Sequence, residues 1–404
     1  MDNTRAKGGK PLVREKCIAG GKQRLTEKGN RPIVKQVGII ITLTLLWLVL
    51  WSVGGVTPAE EWKQAVTPWQ WVFPRDHGQH PEYRTEWWYF TGNLSDSQKR
   101  RYGYQLTFFR QGVASSPSRP HNPWSIRDIY LAHFALTDVS ERRFRHHDRV
   151  SRAGPGLAGA HKDSMNVWTL NWSARMKSNA IYLEALQGDV ILKLELKPRK
   201  PVAFHGEKGR SRKGPHEGQS SYYYSLTDLE TTGTVETPRS REAVRVEGIS
   251  WFDHEFGSNQ LTGDQVGWDW FGLHLSDGRD LMVYFLRKSD GSIEAASSGT
   301  IIEKDGTTRH LNAVDIRMDV LDRWTSPRSG AKYPSTWQLR IPIARIDITL
   351  APLVADQELT TTASTGITYW EGTVAGHGTS GERDVTVEGY MELTGYAGSL
   401  GGVF

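Results

Sequence analysis

Cysteine is almost absent from this chain of 404 residues; the one thiol, Cys17, precedes its one long apolar run, so it is not a lipid-attachment cysteine. The body beyond that run therefore has no disulfide, no cysteine nucleophile and no thiolate metal site. Other absences narrow the chemistry. There is no Gly-x-Ser-x-Gly elbow, no phosphate-binding P-loop and no His-Glu-x-x-His, which argues against ordinary serine esterases, P-loop NTPases and zincins. No stretch after residue 60 sustains an apolar 3.6 period, so a helical body is not expected. The body also lacks excess basic charge. Of 50 basic and 45 acidic residues, ten and three fall in residues 1–36, leaving 40 and 42 for the rest. The basic character belongs to the tail, and nothing in the body calls for nucleic acid as a partner.

What is present begins with residues 37–56, twenty positions free of charge and rich in Ile and Leu. At about 1.5 Å per residue they match a hydrocarbon core of about 30 Å. Trp47 and Trp51 stand toward the far end, where indoles favour the membrane boundary. The basic side stays in the cytosol, so the expected topology is a cytosolic tail (1–36), one transmembrane signal anchor (37–56) and a translocated body. That places the body in the periplasm or outside, anchored to the cytoplasmic membrane. Thr57-Pro58-Ala59 offers a poor cleavage site; cleavage there would make the body a secreted protein.

The body reads as strands. Tyr104 to Phe109, Asp189 to Leu196 and Arg345 to Leu350 alternate apolar and polar, and Asp277-Gly278, Asp290-Gly291 and Asp305-Gly306 mark turns. Many short strands with Gly-rich turns indicate a sandwich or barrel. An internal repeat is visible. Trp87, Tyr89, Phe90 and Leu94-Ser95-Asp96 match Trp268, Trp270, Phe271 and Leu275-Ser276-Asp277, and later matches follow in order. Two copies of one β unit are expected, at 60–262 and 263–404. The irregular stretch 197–218, crowded with Lys and Arg, reads as a solvated loop or as a positive lip over a pocket.

One cluster suggests catalysis: Trp251-Phe252-Asp253-His254-Glu255-Phe256-Gly257. On a strand Asp253 and Glu255 share one face and His254 takes the other. A carboxyl among aromatic rings loses hydration, holds its proton and can donate it. Aligning Val246-Glu247-Gly248 on Val387-Glu388-Gly389 sets Asp253 against Thr394, so the trio appears only once in the repeat. The alternative is a buried salt network between the two copies. Asp269 between Trp268 and Trp270, Glu86 before Trp88 and Tyr89, and Tyr224 among alternating hydroxyls are further candidates. Aromatic stripes in β proteins are usually packing, yet enough rings remain to line an apolar cavity. His77 and His80 in a Pro-bounded loop read as turn residues rather than metal ligands.

The motifs Phe73 to Gly78, Thr85 to Gly92, Tyr104 to Arg110, Ala132 to Asp138, Ser221 to Ser225, Trp251 to Gly257, Gly267 to Phe271, Asp356 to Leu359, Tyr369 to Gly372 and Glu388 to Tyr396 resemble the AttH/CrtC-like proteins. These are known as predicted secreted hydrolases or carotenoid 1,2-hydratase-like proteins. The resemblance implies two tandem lipocalin-like antiparallel β-barrels, here behind one transmembrane helix, and a hydrophobic small molecule or lipid as ligand. It implies either acid-initiated hydration, isomerisation or cyclisation of an alkene or isoprenoid, or a non-catalytic role beside an ABC-type permease. No cofactor and no metal are expected, and no nucleophile supports hydrolysis. For the enzyme reading, Asp253 is the expected proton donor and His254 orients or recharges it. Glu255 or Asp269 steadies developing positive charge. Trp251, Trp268, Trp270, Glu86, Trp88, Tyr89 and Tyr224 are expected to form the ligand site.

Overall fold

The computed structural model describes residues 62–113, 115, 126–240, 242–259, 261 and 263–400. The basic tail, the expected anchor at 37–56 and Cys17 lie outside them. Among the described residues no helix is long and apolar enough to cross a membrane, and helix is limited to three single 3₁₀ turns.

The rest is antiparallel sheet. A 13-stranded sheet holds the strands between Thr85 and Gly257, and a 10-stranded sheet holds those between Gln265 and Leu393. Both curl into barrel-like shapes within one compact unit, residues 58–404. Each sheet joins its first strand to its last. Thr85–Asp96 pairs with Val244–Gly257, and Gln265–Leu275 pairs with Arg383–Leu393. Outside these lie Arg101–Gly112 and Ser220–Glu236 in the first sheet, Asp280–Lys288 and Thr368–Ser380 in the second. The two centres therefore have the same strand order. The Asp-Gly turns need a backbone that L side chains resist, and Gly278 and Gly291 supply it at φ +90° and +83°.

Where a strand has one wet face the sequence alternates. Val190, Leu192, Leu194 and Leu196 point inward while their neighbours are partly or fully exposed. The central strands do not alternate: the last eight residues of Val244–Gly257 are all buried. One face packs inside its own sheet and the other against the second sheet. Phe90 and Phe252 stack at 4.5 Å in the first interior. Phe271 and Trp337 meet edge to face in the second. A third apolar cluster, with Tyr89, Tyr223, Trp251, Trp270 and Tyr284, lies between the sheets. Each fully buried large apolar side chain contributes roughly 1.5–3 kcal/mol.

The basic stretch 197–218 differs from a solvated loop. Ala203–Phe204 and Arg210–Arg212 add short strands to Ser220–Glu236. Lys200 Nζ lies 2.8 Å from Asp280 Oδ2 and 2.7 Å from the Gly278 carbonyl, and Lys213 is buried. The polar partners that burial requires come from the second sheet and from Glu255, so this segment clamps the two sheets together.

Candidate active site

The strand Val244–Gly257 runs between Thr85–Asp96 and Ser220–Glu236. Its register sets Tyr89, Asp253 and Ser225 in one row, and Trp87, Glu255 and Tyr223 in the next. These odd-numbered residues face the second sheet. There the register sets Trp270, Glu392 and Glu371 in one row. Between the two faces lies a cleft lined mostly by aromatic and aliphatic side chains, the kind of lining that apolar ligands meet. Trp87, Tyr89, Tyr223, Trp268, Trp270 and Tyr284 supply its aromatic walls; Asp253, Glu255 and Glu392 supply its acids. The interiors of the two sheets are filled by their own cores, so the site lies between the barrels rather than inside one.

Asp253 is buried. Trp251 Nε1 donates to its Oδ1 at 2.6 Å, and Ser225 Oγ donates to the same oxygen. The Tyr223 hydroxyl oxygen lies 2.6 Å from Oδ2, and Trp270 Nε1 donates to that hydroxyl at 3.1 Å. Burial pushes Asp253 up to about 7; the Ser225, Tyr223 and Trp251 bonds oppose the rise, and nearby Glu255 adds to it. When Asp253 holds the proton on Oδ2, it donates to the Tyr223 oxygen, and the Tyr223 O–H is free to turn toward the cleft. So arranged, the pair can act chemically as a general acid with two proton-bearing atoms. Behind Ser225, His205 Nε2 lies 2.6 Å from Ser225 Oγ and its Nδ1 2.9 Å from Thr300 Oγ1.

Glu255 pairs with Lys213 Nζ at 2.9 Å and accepts a bond from Ser221 Oγ. The ammonium lies 4.3 Å from the Tyr284 ring centre. Burial works against its charge, but Glu255, with Tyr284 and Asp253 adding to it, outweighs burial and Lys213 stays above the ordinary lysine value. Trp268 Nε1 donates to Glu392 Oε2 at 2.8 Å. Burial pushes Glu392 up to about 7, with Asp253 and Glu255 adding to the shift. Behind it Glu371 is 1% exposed and its oxygens make no hydrogen bond of normal geometry; burial, then Glu392, drive it well above the carboxylate range.

His254 points the opposite way and does not orient Asp253. Its Nε2 lies 3.0 Å from Glu86 Oε1, its Nδ1 lies 3.0 Å from the Tyr224 hydroxyl, and its ring stacks on Trp88 at 4.9 Å. Glu86 also receives the His80 backbone N–H and Arg110 Nε, the latter at 3.0 Å, and lies 2.8 Å from His80 Nδ1. Arg110 continues to Asp128 at 2.8 Å. Burial opposes the charge on Glu86, yet its histidine and arginine partners hold it well below the usual carboxylate range. His80, Glu86 and His254 could reach one metal ion, but their ligand atoms already bond one another and Arg110 supplies the balancing charge. The set is an internal ion network sealing the first barrel, not a turn surface as His77 and His80 had suggested.

Trp268, Trp270 and Tyr89 thus line the cleft, and Trp251 braces Asp253 from the same face. Glu86 touches the cleft's edge with its carboxylate turned inward. Trp88 and Tyr224 belong to the first interior. Asp269 faces away, bonded to Arg287 Nε at 3.2 Å and the Tyr396 hydroxyl at 3.0 Å, so it cannot steady charge in the cleft. The sequence reading missed Tyr223, Lys213 and Glu392. Parity gives Tyr223, since the residue that pairs with Glu255 shares its face. The repeat gives Glu392. Tyr89 pairs with Asp253, and Trp270, the repeat mate of Tyr89, pairs with Glu392. Asp253 corresponds to Glu392 rather than to Thr394, so an acid recurs at this position.

The AttH-like family model matches residues 64–396. A crystal structure of an AttH candidate from Nitrosomonas europaea is 33% identical, covers 82% of this chain and 99% of its own, and superposes with a TM-score of 0.73. Kievitone hydratase from Nectria haematococca is 15% identical, covers 84% of this chain and 97% of its own, with a TM-score of 0.63, a likeness of fold. No curated protein matches the sequence. The chain belongs to the AttH-like family.

Proposed function

We propose that this AttH-like protein binds an apolar, alkene-bearing small molecule in the cleft between its sheets and protonates it there, leading to hydration, isomerisation or cyclisation. The observation that carries this reading is Asp253: a buried carboxyl, held near its acid form, facing an aromatic cleft through Tyr223. A general acid contributes about 10²–10⁴-fold in rate. The alkene cation left by protonation meets the faces of Trp268 and Trp270, worth about 0.5–2 kcal/mol each, and the carboxyls of Glu392 and Glu255. The hydratase that shares the fold is consistent with this class of reaction, and the apolar run at 37–56 supports a body held at the outer face of the membrane. The test is native mass spectrometry of the full chain from a gently solubilised membrane fraction, followed by incubation with prenylated alkenes. A co-purifying apolar ligand together with a product isomeric with the substrate, or heavier by one water, supports the enzyme. A bound ligand that is never converted supports a carrier, and no ligand and no product overturn the proposal.

A further inference from the structure

The charges around the cleft limit what the polar end of a ligand can be, an inference that rests on the apolar-ligand reading above. Four carboxyl residues line the cleft: Asp253, Glu255, Glu392 and, at its edge with the carboxylate turned inward, Glu86. Among the described residues lining it, the permanent cations are Lys213 and Arg110. Both are spent. Arg110 is divided between Glu86, Asp128 and the carbonyls of His80 and Tyr83, all within 3.0 Å. Lys213 is held by Glu255 at 2.9 Å and sandwiched by the rings of Tyr284 and Tyr223, at 4.3 and 5.2 Å. His133, at the far end, spends Nδ1 on the Tyr369 hydroxyl at 2.8 Å and Nε2 on Ser364 Oγ at 3.0 Å.

We propose that the Glu255–Lys213 pair is a charge filter: with the Lys213 ammonium neutralised by Glu255, the cleft admits uncharged or cationic head groups and excludes carboxylates and phosphates. An acid entering the cleft brings a desolvated anion beside Glu255 and Glu392 with no free cation among the described lining residues to meet it, and an unpaired buried charge is costly. A cation entering the same place meets carboxylates and ring faces. Glu255 is therefore a specificity-determining residue. Its removal converts Lys213 from a filled pair into an anion site.

The test uses the full chain and displacement of an uncharged environment-sensitive dye by three probes of equal chain length: an n-alkanol, an n-alkylammonium and an n-alkanoate. Alkaline buffer below the amine's own pKa keeps both charges in place. Comparing the two charged probes cancels the general reluctance of an apolar cleft to take any charge. The filter predicts that the wild type binds the ammonium at least about tenfold more tightly than the alkanoate, a difference of about 1.4 kcal/mol. Glu255→Gln retains the shape and an acceptor for Ser221, and it should shift that ratio toward the alkanoate by about tenfold or more. Lys213→Met should gain no alkanoate binding. Equal binding of the two charged probes in the wild type, or an unchanged ratio in a folded Glu255→Gln variant, overturns the filter while alkanol binding preserves the apolar-ligand reading. Failure of all three probes to displace the dye overturns both.

Discussion

The Tyr223 hydroxyl oxygen lies 2.6 Å from Asp253 Oδ2, and the indole of Trp270 reaches that same hydroxyl from the opposite sheet at 3.1 Å. The acid is therefore assembled across the junction of the two sheets. Asp253 and Tyr223 come from adjacent strands of one sheet, and the donor that fixes the Tyr223 lone pair comes from the other. Neither sheet alone has the complete arrangement.

Tyr223→Phe tests this pairing. It removes the hydroxyl and leaves the ring in the inter-sheet core. Loss of a hydrogen bond that favours the carboxylate moves Asp253 further upward. The expected result is a loss of turnover of about 10²-fold, with the alkaline limb of the pH–rate profile displaced to higher pH and ligand affinity little changed. An unmoved limb separates Tyr223 from the acid.

Stability should depend on pH through the same carboxyl. Asp253 is raised from 3.8 to about 7 in the folded chain, so between these values the folded state binds more protons than the unfolded state. Stability then falls as pH rises from about 4 to about 7 and levels off above. Asp253→Asn keeps an acceptor for Trp251 and a donor for Tyr223 and removes the titration. Relative to the wild type it should gain roughly 4 kcal/mol on going from acid to neutral pH. Urea titrations at the two pH values read this directly, and a constant difference between the proteins contradicts it.

His254 and Arg110 should behave as structural residues. Arg110→Ala strands Glu86 and Asp128 without their cation inside the first barrel, and about 3–5 kcal/mol of stability should go with it. His254→Gln should lower the melting temperature and leave the pH–rate profile in place, since the ring contacts Glu86, Tyr224 and Trp88 rather than Asp253. A displaced profile with unchanged stability would return His254 to the catalytic set.

The all-β fold was legible because strands away from the sheet centres have one wet face, as Val190–Pro198 shows, and because Asp-Gly turns punctuate them. The matching strand order at the two sheet centres follows the same Trp and Leu-Ser-Asp signals that revealed the repeat. Asp253, Glu255, Trp268 and Trp270 stood out as ionisable and indole groups packed side by side in sequence. Glu86, Trp88, Tyr224 and Asp269 were harder to place. Their strands are buried on both faces, so composition does not say which face meets the other sheet. Lys213 was hidden for another reason: its partners, Glu255 and the rings of Tyr223 and Tyr284, are distant in sequence, and a lysine-rich stretch looks solvated until its pairing is known. The tail and the 37–56 segment lie outside the described residues.

The central claim is that Asp253 delivers the proton to a ligand held between the sheets. Deuterium incorporation from heavy water into a bound alkene, followed by mass spectrometry for wild type and Asp253→Asn, tests it most directly. The account predicts incorporation by the wild type, a drop of about 10²-fold or more in the variant, and alkene affinity within about twofold of the wild type, a gap of roughly 0.4 kcal/mol. Incorporation at the wild-type rate by a folded Asp253→Asn protein would contradict it.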